Sequence, residues 1–238
     1  LIEEFGITSG NIKIYYDKSN LDKEEPMKKM SIILFWLIMN GMLAYGTDYF
    51  VRSDAAGGGD GLTYATALTI DEAFATVGFN YEPGDRVIFA PGTYFPAGQL
   101  VLSSSSDGNG DETGYVYFIG DRSGYWIATL DGTSVTPGEI IIDGSNLTDE
   151  NSIIRIYSWS YLVLEGLTVR NGPIDSGFEY GAQGIRMQDT GGGPCNNIIV
   201  RHCKVHSCAG GGIIMYDSPT DIRIFNCIVY NTGYTNAA

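Results

Sequence analysis

Lysine is almost missing from most of this chain. After residue 46 the only one is Lys204, and nine basic residues there face 22 acidic ones. The formal net charge of the whole chain is −14. A surface so poor in cations excludes a general nucleic-acid binder and a protein held on anionic membranes. Histidine is scarce at two residues, and the four cysteines are confined to the stretch from Cys195 to Cys227. Their spacing does not match a zinc site. The apolar run at residues 31–39 is well short of the ~20 residues that a membrane-spanning helix needs. Glycine is what the chain has in plenty, with 32 residues. That suits a fold made of tight turns.

The short apolar run has a telling context. Met27, Lys28, Lys29 and Met30 precede it, and Ala44, Tyr45 and Gly46 give a small-x-small site after it. These are the parts of a secretory signal peptide cleaved after Gly46. They predict a bacterial protein that is secreted or displayed at the cell surface, with no membrane span after cleavage. A membrane anchor is the alternative. Residues 1–26 then precede a natural start, because Leu1 is not an initiator. Lys23, Glu24 and Glu25 can be encoded by a bacterial ribosome-binding sequence just ahead of Met27. Residues 1–26 are therefore expected to be upstream leader, a polar N-terminal extension being the alternative. Residues 27–46 are the signal peptide and residues 47–238 the folded domain. Residues 231–238 follow a repeat with no capping pattern, and a solenoid end needs a cap, so the stack is expected to continue past residue 238.

Three segments of the domain superimpose: residues 161–171, 197–207 and 221–231. In register, Leu167 falls on Cys203 and Cys227, and Asn171 on Ser207 and Asn231. Cys203 and Cys227 are 24 positions apart, a period that means a solenoid. Alternation inside each copy means strand. Leu162, Leu164, Leu167 and Val169 point one way, as do Ile198, Val200, Cys203 and Val205, and Ile222, Ile224, Cys227 and Val229. The phase slips by one at Gly166, His202 and Asn226, which predicts a corner between two short strands. A third strand is expected at residues 154–156, 184–187 and 212–215. Asn171 and Asn231 stand where the chain must turn sharply, and Asn tolerates left-handed backbone angles. Cys203 and Cys227 are expected to stack as core thiols, with strands ~4.8 Å apart. A bridge between them is the alternative. Cys195 and Cys208, in turns, are the better pair for a bridge if one exists.

Three strands per coil with Asn at one turn resemble the right-handed parallel β-helix of the pectate lyase-like superfamily. The N-terminal part of the domain is similar too. Residues 49–54 precede the glycine-rich residues 57–61, then a short helix, then residues 83–94, which resemble the first coil of many secreted β-helix proteins. The expected fold is all-β, a single-stranded right-handed parallel β-helix with a short N-terminal capping helix. Thr69 and Glu72 form a capping box for that helix, and Ile70, Ala73, Phe74 and Val77 share one face. Early strands are expected at residues 87–89, 115–119 and 139–142.

The resemblance implies an acidic polysaccharide as partner and β-elimination as the reaction, on a monomeric protein. In such lyases the groove lies on the outer face of one sheet. Calcium or an arginine neutralises the uronate carboxylate, and Lys or Arg takes the adjacent proton. Arg201, Lys204 and Arg223 are the catalytic candidates, read as one outward file; solvated strand positions would look the same. Glu165 and Phe225 lie on that face as candidate substrate contacts. Tyr157, Trp159 and Tyr161 alternate just before the first clear repeat and could stack on sugar rings, or pack against a neighbouring loop. Asp189, Asp217 and Asp221 fall near matching turns, where carboxylates could bind calcium or simply form turns. The arginine-centred signature of classical pectate lyases and the paired carboxylates of polygalacturonases are not visible. A non-catalytic adhesin or spike-like β-helix is therefore the competing class.

Overall fold

The computed structural model describes residues 2–6, 13–17, 46–74, 80–103, 114–148, 152–174, 181–189 and 195–233. The chain divides into two units, Leu1–Tyr45 and Gly46–Ala238. In the first, β1 (Ile2–Gly6) and β2 (Lys13–Asp17) pair antiparallel. The expected signal peptide lies outside the described residues, apart from Gly46. So do Val77 and residues 234–238.

The second unit is a right-handed parallel β-helix built on three sheets. The first sheet stacks β3 (Asp48–Val51), β4 (Arg86–Phe89), β7 (Val116–Gly120), β10 (Ser160–Glu165), β13 (Asn196–Arg201) and β16 (Arg223–Phe225). The second stacks β5 (Gly92–Tyr94), β8 (Ile140–Asp143), β11 (Thr168–Arg170), β14 (Lys204–Cys208) and β17 (Ile228–Thr232). The third stacks β6 (Leu100–Ser103), β9 (Ser152–Tyr157), β12 (Gln183–Gln188) and β15 (Ile213–Tyr216). Every pairing within these sheets is parallel, as one coil climbing on the next requires.

Register turns the sequence repeat into a packed column. Val87, Phe118, Leu164 and Val200 occupy one inward ladder of the first sheet and are all 0% exposed. Ile142, Val169 and Val205 do the same in the second sheet, and Ile154 and Ile185 in the third. The inward set read from alternation is thus the core. In the last described coil Ile224 and Val229 occupy the same ladders but remain 41% and 46% exposed. All four cysteines are free thiols. Cys195 and Cys208, expected in turns and as the better bridge, are 1% and 0% exposed and belong to the same core. Burial pushes each of these two thiols up to about 11.

The corners repeat as strictly as the strands. Gly166, His202 and Asn226 have φ of 74°, 54° and 52°, at the positions where the alternation slips. Asn171, Ser207 and Asn231 are left-handed at the next corner, and Tyr161, Asn197 and Asp221 at the start of the first sheet. Each non-glycine residue there carries roughly 1–2 kcal/mol of backbone strain, which the ladder hydrogen bonds on both sides offset. One coil lower, Gly120 lies against Gly166, where a Cβ would meet the Gly166 carbonyl oxygen at 2.7 Å.

At the first coil, α1 (Ile70–Ala73) begins with the expected capping box. The Thr69 side chain accepts from the Glu72 backbone N–H, and the Glu72 carboxylate accepts from that of Thr69. Its apolar face enters the core, with Phe74 5.0 Å from Phe118 between ring centres. A second helix, α2 (Tyr125–Leu130), was not expected. It follows β7 directly and lies over the outside of the first sheet.

Candidate functional site

Two outward files run along the first sheet. One holds Asp48, Arg86, Tyr117, Val163, Ile199 and Arg223. The other holds Phe50, Ile88, Ile119, Glu165, Arg201 and Phe225. In the early coils the second file is apolar and covered. Phe50 and Ile88 pack with Ala67, Ala90 and Ile127 of α2 into a small second core. Asp121 holds the helix start by accepting from the Ile127 backbone N–H at 2.9 Å. Trp126 lies under the Arg86 guanidinium at 5.0 Å, and Arg86 is clamped bidentate to Asp48.

Where α2 ends, the file emerges and its chemistry changes. An open cleft of ≈ 340 Å³ is lined by Ile119, Arg122, Tyr125, Trp126, Glu165 and His202. Tyr125 is 62% exposed and meets Trp126 edge-on at 5.8 Å. Arg122 is spent on the corner, donating to the Gly166 carbonyl at 2.9 Å. Glu165 and Arg201, adjacent in the file, form an ion pair at 2.6 Å. Arg201 donates from both Nε and Nη2 to one carboxylate oxygen, Oε2. Phe225 follows, 42% exposed, with its ring 6.4 Å from that of His202. The result is an aromatic wall, an ion pair and a second aromatic patch in sequence along the solenoid. Such a strip can stack on sugar rings and hydrogen-bond hydroxyls or carboxylates.

The predicted site residues do not all meet here. Glu165, Arg201 and Phe225 do. Arg223 is on the same sheet but in the other file, in register with Ile199. Lys204 is on the second sheet, beyond the corner at His202, with its ammonium 6.0 Å from the Tyr230 ring. The single file of Arg201, Lys204 and Arg223 is therefore three separate places. The corner turns the chain between residues 201 and 204, and two residues of strand separate the files of Arg201 and Arg223. An arginine already donating to a carboxylate serves as a fixed charge and donor rather than a proton acceptor.

The aromatic triplet also splits. Tyr157 faces out from the third sheet beneath the Arg155 guanidinium at 4.8 Å. Tyr161 opens the first sheet, edge-on to Tyr115 at 5.5 Å. Trp159 is 0% exposed in the core, so it offers no face to a ligand. Ser158 breaks the alternation by adopting φ 52°, which turns Trp159 inward. Asp189 and Asp217 lie on neighbouring turns, where the Asp189 backbone N–H donates to the Tyr216 carbonyl. Asp217 accepts from Gln188 Nε2 at 2.9 Å, and Asp221 sits at the later, left-handed corner. No set of three His, Cys, Asp or Glu side chains among the described residues is placed to hold a metal ion, so these three do not form the expected calcium group. Sequence reading missed Tyr125, Trp126 and His202. The adjacent aromatics just after a glycine-flanked strand end were the available signal.

Fold and outer face together define a parallel β-helix with an open strip beside a covering helix. The family model described as a right-handed β-helix region matches residues 119–237. That is half of the chain, and the protein belongs to this family. Among solved structures it is similar to the GH136 lacto-N-biosidase from Eubacterium ramulus, determined as the selenomethionine derivative. The TM-score is 0.54 at 16% identity, over 86% of this chain and 37% of that one. The chain spans little more than a third of that enzyme, and the likeness is one of fold. No curated protein matches the sequence. No helix among the described residues is long and apolar enough to cross a membrane.

Proposed function

We propose that this is an exported β-helix protein that binds an acidic polysaccharide along the outer face of its first sheet. The observation that carries the reading is the strip formed by Tyr125, Trp126, Glu165, Arg201 and Phe225, which puts aromatic surfaces on either side of an ion pair. Aromatic faces suit sugar rings, and Arg201 suits a uronate carboxylate. The name of the GH136 lacto-N-biosidase ties a protein of the same fold to a glycan. Cleavage by β-elimination is the finer form of the reading. Arg201, held by Glu165 through Nε and Nη2, would donate from its remaining N–H groups to the uronate carboxylate, and His202, exposed at the cleft edge, would take the adjacent proton as the bond to the glycosidic oxygen breaks. Calcium would supply the positive charge that neutralises the uronate carboxylate.

Binding of polygalacturonate and alginate, measured by calorimetry with and without calcium, tests the reading. The exposed Tyr125 makes the cleanest variant. Tyr125→Ala is expected to weaken binding about tenfold, the equivalent of one stacking contact, with the thermal midpoint unchanged. Equal affinity in the variant and the parent would remove the first sheet as the site. Ultraviolet absorbance of unsaturated uronates reads elimination in the same samples. Binding without that absorbance would leave a non-catalytic glycan binder.

A further inference from the structure

The outer face of the third sheet carries two arginines that the strip on the first sheet does not use. Arg155 and Arg186 are in register on β9 and β12, one coil above the other. Four other arginines, Arg52, Arg86, Arg170 and Arg201, each have a carboxylate partner within 2.9 Å. These two have none among the described residues, as is also true of Arg122, which donates to the Gly166 carbonyl, and of Arg223, in a chain with 28 acidic side chains. Arg155 donates to the Gln188 side-chain oxygen at 3.0 Å. For Arg186 no hydrogen bond or ion pair occurs among the described residues. The Nε atoms of both are buried without a hydrogen-bond partner. The nearby carboxylate, Asp217, accepts from Gln188 instead.

Like charges opposite one another on neighbouring strands are unfavourable, and a buried N–H with no partner costs more. Burial, followed by the Arg155 charge, pulls the Arg186 guanidinium below its ordinary value. Each guanidinium is also held flat. Arg155 lies over Tyr157 at 4.8 Å, and Arg186 over Tyr216 at 4.2 Å. Ring stacking fixes the planes and leaves the N–H edges to face a ligand. Val101 and Ile214 flank the pair in the same file, so the charge is confined to two coils.

We propose that Arg155 and Arg186 form an oxyanion site on the third sheet for a carboxylate or sulfate substituent of a polysaccharide. Two stacked forks match the planar or tetrahedral oxygens of such a group, and one anion bound at their outer Nη edges would relieve the repulsion between them. That the anion is carried on a polysaccharide rests on the reading in the previous section. The pairing of two arginines with an anion does not.

The test keeps the two apart. Full-length chain is titrated at one salt concentration with oligogalacturonate, dextran sulfate and neutral dextran. Arg155→Gln and Arg186→Gln are each expected to lose about tenfold or more in affinity for a charged polymer, while Arg186→Lys keeps part of it and Tyr125→Ala leaves this loss unaltered in size. Oligogalacturonate and dextran sulfate distinguish carboxylate from sulfate. Unchanged affinity in both glutamine variants, or neutral dextran binding as well as the charged polymers, would overturn the proposal. Should a glutamine variant lose its cooperative unfolding, the parent chain supplies a second measurement. Phenylglyoxal modification of Arg155 and Arg186, located by peptide mass spectrometry, must slow in the presence of inorganic sulfate or galacturonate. Unprotected arginines would refute the site even if the first sheet binds glycan.

Discussion

On the outer face of the second sheet, Asp143 is 4% exposed and accepts from the Ser145 backbone, Arg170 Nε and Asn171 Nδ2. Burial alone would raise its carboxyl, but the hydrogen bonds from Ser145, Arg170 and Asn171 together hold it below its ordinary value. The folded chain therefore binds this proton less readily than the unfolded one. The stabilisation is complete above about pH 4 and is lost as pH falls through the folded value. His206, two coils further on and stacked on Tyr230 at 4.7 Å, acts at higher pH. Burial, then the charges of Lys204 and Arg170, push its imidazole below its ordinary value. The unfolded chain then takes up the proton first, so stability declines as pH drops below about 6.5. Urea unfolding between pH 7 and pH 3 should show two successive losses. His206→Gln is expected to remove the upper one and keep the lower. Asp143→Asn should cost about 1–3 kcal/mol at pH 7 and flatten the lower one. Parallel curves for all three proteins would contradict both assignments.

Elements outside the repeat shape the candidate site. The inward positions of β10, β13 and β14 could be read from alternation because a period of two, repeated in register, leaves one assignment for each side chain. Nothing comparable marked α2. Its one fully buried anchor, Ile127, finds Phe50 and Ile88, which are distant in sequence. The corner beneath it depends on Gly120, whose close approach to Gly166 is a matter of stacking and not of local propensity. Ile127→Ala is expected to cost about 2–5 kcal/mol and to loosen α2 alone. Hydrogen exchange should quicken for amides of residues 125–130 and stay slow for those of β10. Equal quickening in both would mean that α2 and the coil unfold as one unit. The same variant should weaken glycan binding, since Tyr125 and Trp126 lose their support.

At the scale of the whole molecule, stability comes from each coil resting on the next. An inward side chain with a coil on each side should then matter more than an outward one. Leu164 is 0% exposed between Phe118 and Val200, whereas Ile199 faces outward on β13 and is half-buried. Leu164→Ala is expected to cost about 2–5 kcal/mol and Ile199→Ala clearly less, read from chemical unfolding midpoints. Similar losses would argue against stability carried by the inward ladder. Charge is a property of this scale as well. Acidic groups outnumber basic ones so heavily that the net charge opposes a polyanion, and binding should strengthen as added salt screens that repulsion away from the arginine sites.

The sequence by itself determined the solenoid, the three strands of each coil, the inward ladder and the corners where the phase slips. These follow from local rules, a two-residue period and a few residues that tolerate left-handed backbone angles. Only the tertiary structure decided which outward residues meet. Glu165 and Arg201 pair because one coil rises onto the next across 36 residues of chain. Arg155 and Arg186 stack for the same reason, while Lys204 parts from Arg201 at a corner. Trp159 turned inward on a single backbone angle at Ser158. Contacts of that kind depend on register between coils and on insertions that carry no repeat, and neither is written in the period of the strands.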